Sequence, residues 1–207
     1  MPFVRSINIA AIDNAIRGIT TDGKYLWWIG DAGNNIYQID KSGNLIKTIA
    51  VGSIDIYPTG ITTDGKYLWW IGRQNKIIVQ MDKAGNIIQI INVGAIDAVP
   101  FDITTDGKYL WWCGSTGVRQ MDKSGNIIKT MLPNWHEGIT TDGKYLWLTH
   151  YEEDPAVAVI NQYDKSGNLI RTIDIVATDI YPFGICTDGK YLWWGAYDNK
   201  LIIQWAK

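Results

Sequence analysis

The chain has 207 residues, 46% hydrophobic and 19% charged, with a formal net charge of −2 at pH 7. Such a length can bury a large core, and such a composition excludes disorder. With no run of Lys or Arg, the charge balance argues against a nucleic-acid or anionic-membrane partner.

The first segment to carry a pattern is residues 3–7 (FVRSI). It aligns with residues 45–49 (LIKTI), so it reads as an isolated copy of a strand that recurs later. The segment Thr-Asp-Gly-Lys-Tyr-Leu-Trp then occurs five times unchanged, at 21–27, 63–69, 105–111, 141–147 and 187–193. Its aspartates, Asp22, Asp64, Asp106, Asp142 and Asp188, are spaced 42, 42, 36 and 46 residues apart. A period in the low forties predicts a β-propeller.

The second copy shows the unit most plainly. Residues 57–63 (YPTGITT) predict a first strand and Asp64-Gly65 a tight turn, because Gly takes the positive φ that such turns require. Residues 66–72 (KYLWWIG) predict a second strand, 76–82 (KIIVQMD) a third and 87–93 (IIQIINV) a fourth, with Ala-Gly-Asn turning the last pair. Both faces of the second strand are apolar. Tyr67, Trp69 and Ile71 lie on one and Leu68 and Trp70 on the other, so both faces must be covered by neighbours. The paired tryptophans are therefore expected to pack between blades. The last copy stops at residues 204–207 (QWAK), aligned with 38–41 (QIDK), which ends a third strand. The missing fourth strand is the one at residues 3–7. The prediction is an all-β, five-bladed propeller, one domain over 1–207, with the ring closed by the N-terminal strand.

No window reaches the roughly 18 apolar residues needed to span a membrane. The opening MPFVRSINIA lacks the layout of a signal peptide, so a cytoplasmic location is expected. Cys113 and Cys186 fall in copies three and five, which predicts two buried free thiols rather than a disulfide.

The turns that join strands one and two, and three and four, are almost constant. All length changes fall on the opposite face. From the Asp of TDGK to the Asp of DK(S/A)GN the spacing is 18, 18, 16 and 22 in copies one to four. From there to the next TDGK it is 24, except for the 20 between Asp122 and Asp142. A shortened connection and a lengthened loop thus meet at blade four, and loops on a rigid scaffold carry function. The only histidines, His136 and His150, lie there with Trp135, Glu137, Tyr151, Glu152, Glu153 and Asp154. Imidazoles beside carboxylates suit a divalent metal, with His136, His150 and Glu152 as donors, or a general acid–base pair. The parity of the Asp142-Gly143 hairpin bears on this. An even connection puts the two imidazoles on opposite faces of the blade, which favours grouping His136 with Glu152 or Glu153 instead.

A second candidate is the ring at the start of the innermost strands: Arg17, Thr59, Phe101, Glu137 and Phe183, with Asp102 where other copies have Gly. It forms a mixed mouth for a small amphipathic ligand, joined by Trp135 and Tyr151. The alternative is a narrow channel filled by its own side chains. Asp13, Asp55, Asp97 and Asp179, in the blade connections, are expected to cap loops.

The run Pro58-Thr59-Gly60-Ile61-Thr62-Thr63-Asp64-Gly65 followed by Leu68-Trp69, and Gly33-Asn34-Asn35 followed by Gln38-Ile39-Asp40, resemble NHL-repeat and streptogramin-lyase-like propellers. The resemblance covers the whole chain, although those families commonly have six or seven blades. Trp135-His136-Glu137-Gly138-Ile139 resembles the lyase-like members most. In them, histidines and glutamates around the central channel hold a metal and perform the chemistry. By this resemblance His136 and Glu137 would be catalytic.

No Gly-x-Ser-x-Gly elbow, phosphate loop or cysteine cluster is present. The leading expectation is a non-catalytic, monomeric binding module that uses the blade-four face for a small molecule, glycan or protein, with no cofactor. The alternatives are a metal-assisted lyase or hydrolase, and a lectin with one sugar site per blade.

Overall fold

The computed structural model describes residues 3–132, 134–154 and 156–207, and these form twenty strands in five antiparallel sheets of four. β1 (Phe3–Asn8) stands alone at the N-terminus. Blade one is β2 (Ile16–Thr21), β3 (Leu26–Gly30), β4 (Asn35–Ile39) and β5 (Leu45–Ala50). Blade two is β6 (Pro58–Thr63), β7 (Tyr67–Gly72), β8 (Ile77–Asp82) and β9 (Ile87–Asn92). Blade three is β10 (Pro100–Thr105), β11 (Leu110–Gly114), β12 (Gly117–Met121) and β13 (Ile127–Met131). Blade four is β14 (Gly138–Thr141), β15 (Tyr145–Glu152), β16 (Val157–Asp164) and β17 (Leu169–Asp174). Blade five has β18 (Pro182–Thr187), β19 (Tyr191–Ala196) and β20 (Leu201–Ala206), and β1 pairs with β20 as its fourth strand, Ser6 opposite Ile203. The innermost strands touch in sequence around the ring, and β18 meets β2 to close it. This is the five-bladed propeller that the repeat predicts. Among the described residues no helix is long and apolar enough to cross a membrane.

The repeated residues explain themselves locally. Thr63 lies opposite Leu68, so the TDGK connection is four residues long. Asp64 Oδ1 accepts the amides of Lys66 and Tyr67 at 3.2 and 2.8 Å, while Gly65 sits at φ +90°. In the next turn Asp82 Oδ1 accepts the amides of Ala84 and Asn86, and the Asn86 side chain donates to Oδ2. Both are side-chain-to-backbone turns that the chain can form before any tertiary contact exists.

The same residues also join the blades. Asp64 Oδ2 accepts the Trp69 indole N–H at 3.3 Å and pairs at 2.7 Å with Lys123 of blade three. The contact recurs as Lys83 with Asp22, Lys165 with Asp106, Lys207 with Asp142 and Lys41 with Asp188, the last closing the ring at 3.6 Å. Burial alone would raise the pKa of Asp64; hydrogen bonds from Lys123, the Tyr67 amide and Trp69 outweigh it and hold the carboxylate below its usual range.

Between blades lie five apolar clusters, one per interface. Leu68 and Trp70 pack with Trp27 and Ile29 of blade one, whereas Trp69 and Ile71 pack with Leu110 and Trp112 of blade three. The two faces of one strand thus serve two interfaces, and the tryptophan pairs are the packing layer. Cys113 and Cys186 are buried and free.

The axis is closed by backbone. A Cβ on Gly18 would lie 2.3 Å from Thr59 O, one on Gly60 would lie 2.3 Å from Asp102 Cα, and one on Gly184 would lie 2.5 Å from Gly18 Cα. Asp102 turns its carboxyl into this layer and is 1% exposed. Its oxygens accept the amides of Ile103 and Ile139, both at 2.9 Å, so it ties blades three and four together at the axis. Burial pushes its pKa up to about 8, even though the amides of Ile139, Ile103, Ile185 and Ile61 oppose the shift. Asp102 therefore forms part of the plug rather than of the mouth lining expected from sequence.

Two stability predictions follow from the ring. Asp64→Ala removes a turn cap, an indole acceptor and an ion-pair partner together, and should cost about 2–3 kcal/mol, whereas Lys123→Met, losing one half-exposed charge, should cost less than about 1 kcal/mol. Urea unfolding of the two variants checks the ratio. Gly60→Ala must displace backbone and should cost at least about 1–3 kcal/mol by the same measurement, although the change adds only a methyl group.

Candidate functional site

On the face opposite the constant turns, two rings of positions surround the plugged axis. The inner ring is the predicted one. Arg17 is half-buried, its Nε donating to Asp31 Oδ1 at 2.9 Å, and its guanidinium lies over the rings of Tyr197 at 5.1 Å and Phe183 at 5.7 Å. Thr59 is buried with its Oγ1 unpartnered. Phe101 is buried and tilted against Trp135 with centroids 4.6 Å apart. Phe183 contacts Tyr197 at 4.9 Å and Tyr151 at 6.0 Å. Trp135 is 42% exposed and forms the rim.

The second ring follows the last residue of each second strand's constant core: Asp31, Arg73, Ser115, Tyr151 and Tyr197. Sequence reasoning named only Tyr151 of these. The signal was present, since four different residue types (Asp, Arg, Ser and Tyr twice) stand directly after a nearly constant segment. Asp31 and Tyr197 neutralise and brace Arg17, with Tyr197 Oη donating to Asp31 Oδ2 at 2.7 Å. Arg73 lies over Phe101 at 4.8 Å. The mouth is therefore a blind cup, partly filled by its own side chains and walled by aromatic rings.

Blade four supplies the polar floor. Thr141 lies opposite Leu146, an even, four-residue connection, which by parity alone separates His136 from His150. The structure brings them together instead, with ring centroids 6.2 Å apart and nearly perpendicular. The reason is the strand start. Both the Glu137 and Gly138 positions face Thr149, and Glu137 N donates to Thr149 O at 3.3 Å. The equivalent register shift appears in blades one and three, around Arg17 and Phe101. One extra residue on the first strand reverses the parity upstream of it.

His136 is 4% exposed and Glu137 5% exposed. Both imidazole nitrogens of His136 and Oε2 of Glu137 lack hydrogen-bond partners. Burial pulls the His136 pKa down to about 4, with His150 adding to the effect. Burial pushes Glu137 up to about 8 against opposing hydrogen bonds. Burial thus favours the uncharged form of both the His136 imidazole and the Glu137 carboxyl. His150 is partly exposed, with Nδ1 3.8 Å from Glu137 Oε2 and Nε2 3.3 Å from Glu152 Oε1, and Glu152 lies in solvent. The predicted metal grouping of His136, His150 and Glu152 does not form. His150 Nε2 meets Glu152 while His136 stays buried, and among the described residues no three His, Cys, Asp or Glu side chains are placed to hold a metal ion. Tyr151 turns to Tyr181 and Phe183 and lines the cup.

The blade-connection aspartates are loop caps, as expected. Asp55 accepts the amides of Tyr57, Gln74 and Asn75, and Asp179 accepts the Tyr181 amide and the Trp194 indole N–H. Asp97 holds the amides of Val99 and Thr116 and pairs with the buried Arg119 at 2.9 Å.

No protein-family model matches the chain, and no curated protein matches its sequence. Solved structures resemble it in fold. Glutaminyl cyclase from Myxococcus xanthus matches with TM-score 0.75 and 9% identity, over 98% of this chain and 94% of that one. A catalytically inactive virginiamycin B lyase from Staphylococcus aureus, solved with quinupristin, matches with TM-score 0.59 and 23% identity, over 95% and 67%. A chain of the nidogen/laminin complex matches with TM-score 0.62 and 18% identity, over 86% and 71%. The fold likeness to streptogramin-type lyases agrees with the resemblance seen in the repeat. At these identities the likeness concerns the propeller fold, which hosts enzymes and binding proteins alike.

The titration of Glu137 gives a test. The folded protein holds this proton up to about pH 8, whereas the unfolded chain releases it near about pH 4. Stability attributable to this group is therefore full below the unfolded pKa and falls as pH rises toward 8. Glu137→Gln should flatten that decline, as measured by urea midpoints between pH 5 and pH 8.

Proposed function

We propose that the protein is a binding module whose site is the blind cup beside blade four. The observation that supports this reading is a set of buried, unpartnered polar atoms at one mouth: Thr59 Oγ1, Glu137 Oε2 and both nitrogens of His136. Each such atom costs free energy in the empty protein, and a ligand that displaces the side chains covering them and hydrogen-bonds to them recovers it. The walls suit a small molecule or glycan with a flat apolar surface, or an aromatic side chain of a protein partner, laid on Trp135 and Tyr151. The module acts as a monomer inside the cell and without a cofactor. One site per molecule is favoured over one per blade, because each ring carries four different residue types over its five positions and the aspartates common to the blade connections are occupied by backbone amides.

A second reading rests on the opposed shifts of His136 and Glu137. Titratable neighbours driven apart in this way are the usual arrangement of a general base and a general acid. In this reading the cup is the active site of a lyase or hydrolase, with His136 accepting a proton and Glu137 donating one. A divalent metal would need further donors from its substrate or from water.

Ligand-observed NMR with a library of small polar aromatics and sugars tests both readings. Binders should lose about tenfold or more in affinity on Glu137→Ala or Trp135→Ala, roughly the value of one buried hydrogen bond or stacking contact. Binders indifferent to both changes would defeat the cup assignment. Chemical conversion of a binder, abolished by His136→Ala while binding persists, would move the conclusion to the second reading.

A further inference from the structure

Beside the cup, between blades two and three, a cleft of about 410 Å³ is lined by Tyr57, Arg73, Gln74, Lys76, Ala98 and Val99. It contains two cations and no acid. This is unusual for its surroundings. Few of the chain's 19 Lys and Arg lie on this face, and two of those that do are matched, Arg17 to Asp31 and Arg119 to Asp97. Among the described residues neither Arg73 nor Lys76 has an ion-pair or hydrogen-bond partner for its side chain. The nearest carboxylate beneath the loop, Asp55, directs its oxygens to the amides of Tyr57, Gln74 and Asn75.

We propose that this cleft binds a small organic anion, its carboxylate or phosphate monoester head held by Arg73 and Lys76 and its apolar body laid along Val99 toward Trp135. The Arg73 guanidinium is placed for it. Its Cζ lies over the Phe101 ring at 4.8 Å, and Phe101 is backed by Trp135 at 4.6 Å, so the aromatic pair supports the guanidinium at the cleft's edge. A planar guanidinium offers two parallel N–H donors, the geometry that a carboxylate or phosphate accepts in bidentate fashion. Lys76 adds a second charge from the turn that precedes β8, where its backbone sits at φ +55°. Partial burial already lowers the pKa of Arg73, and the nearby Arg17 lowers it further. An anion arriving there relieves both effects. The cleft borders the cup through Arg73, but its charged end, Arg73 and Lys76, uses neither Glu137 nor the blade-four loop, so loss of Glu137 separates the two sites.

Titration calorimetry with phenyl phosphate, benzoate, inorganic phosphate and benzyl alcohol tests the assignment. Phenyl phosphate or benzoate should saturate a single site, with affinity falling as NaCl is raised, whereas benzyl alcohol should not bind. Whichever of the two binds more tightly identifies the head group. Arg73→Gln should weaken binding by about tenfold or more and Lys76→Gln by a smaller factor, as expected for lost charge-assisted hydrogen bonds. Glu137→Ala should leave it unchanged. Lys76 lies on an outer turn, so Lys76→Gln keeps the test valid if Arg73→Gln melts early. No saturation by either anion, or equal affinity in both cleft variants, overturns the proposal. Tighter binding of inorganic phosphate than of both organic anions overturns the apolar half of it.

Discussion

Every blade depends on its two neighbours. A four-stranded sheet with apolar residues on both faces is not viable in water, and here no sheet has a wet face in its inner strands. Trp69 and Trp70 are adjacent in sequence yet belong to different interfaces, one toward blade three and one toward blade one. The lysine–aspartate ring follows the same logic on the turn face. Each lysine reaches back to the preceding blade's aspartate, which also holds that blade's own turn and indole. Local turn chemistry and long-range assembly therefore converge on the same few side chains. That is why the aspartate of TDGKYLW can repeat without change, for its substitution would disturb a turn and an interface together.

Closure at five blades sets the second constraint. The inner strands approach so closely that a methyl group on Gly18 or Gly60 meets backbone, and the one non-glycine residue in that layer, Asp102, fills the axis. No channel crosses the disc at that level. The two faces thus become separate surfaces, with Thr59 and Glu137 buried at the start of the inner strands. A surface backed by such closely packed backbone is rigid, and rigidity favours precise recognition of a small ligand.

Much of this was legible in the sequence, and the reasons differ by feature. The strands, the turns and the closing role of residues 3–7 were visible because they rest on local periodicity and on turn residues. Blade four stood out because the repeat acts as a ruler. The meeting of His136 with His150 was not legible. Hairpin parity is a local rule, and the extra residue at Glu137 lies beyond the reach of the turn that sets it. The role of Asp102 was half-legible. The substitution of Gly was plain, but whether the side chain lines a mouth or plugs an axis depends on the ring's radius, which only the assembled blades define. Arg73 was not legible although its position holds four different residue types in the five copies, because the variation in loop length is the larger signal beside variation at fixed length.

Blade four and the cleft share one physical character: each holds polar groups that the fold leaves unmatched. A buried neutral imidazole, a carboxyl kept protonated near neutrality and a half-buried guanidinium without an acid all make the empty protein less stable than its regular blades would allow. The scaffold tolerates this because its interfaces are repeated and near-identical, so strain at one mouth is set against five equivalent sets of packing contacts. Regularity and irregularity then have distinct physical roles. Constant residues hold the ring together, and the unmatched titratable groups of His136, Glu137 and Arg73 lie on the variable face. This division, more than any single motif, argues that the variable face is the working face of the molecule.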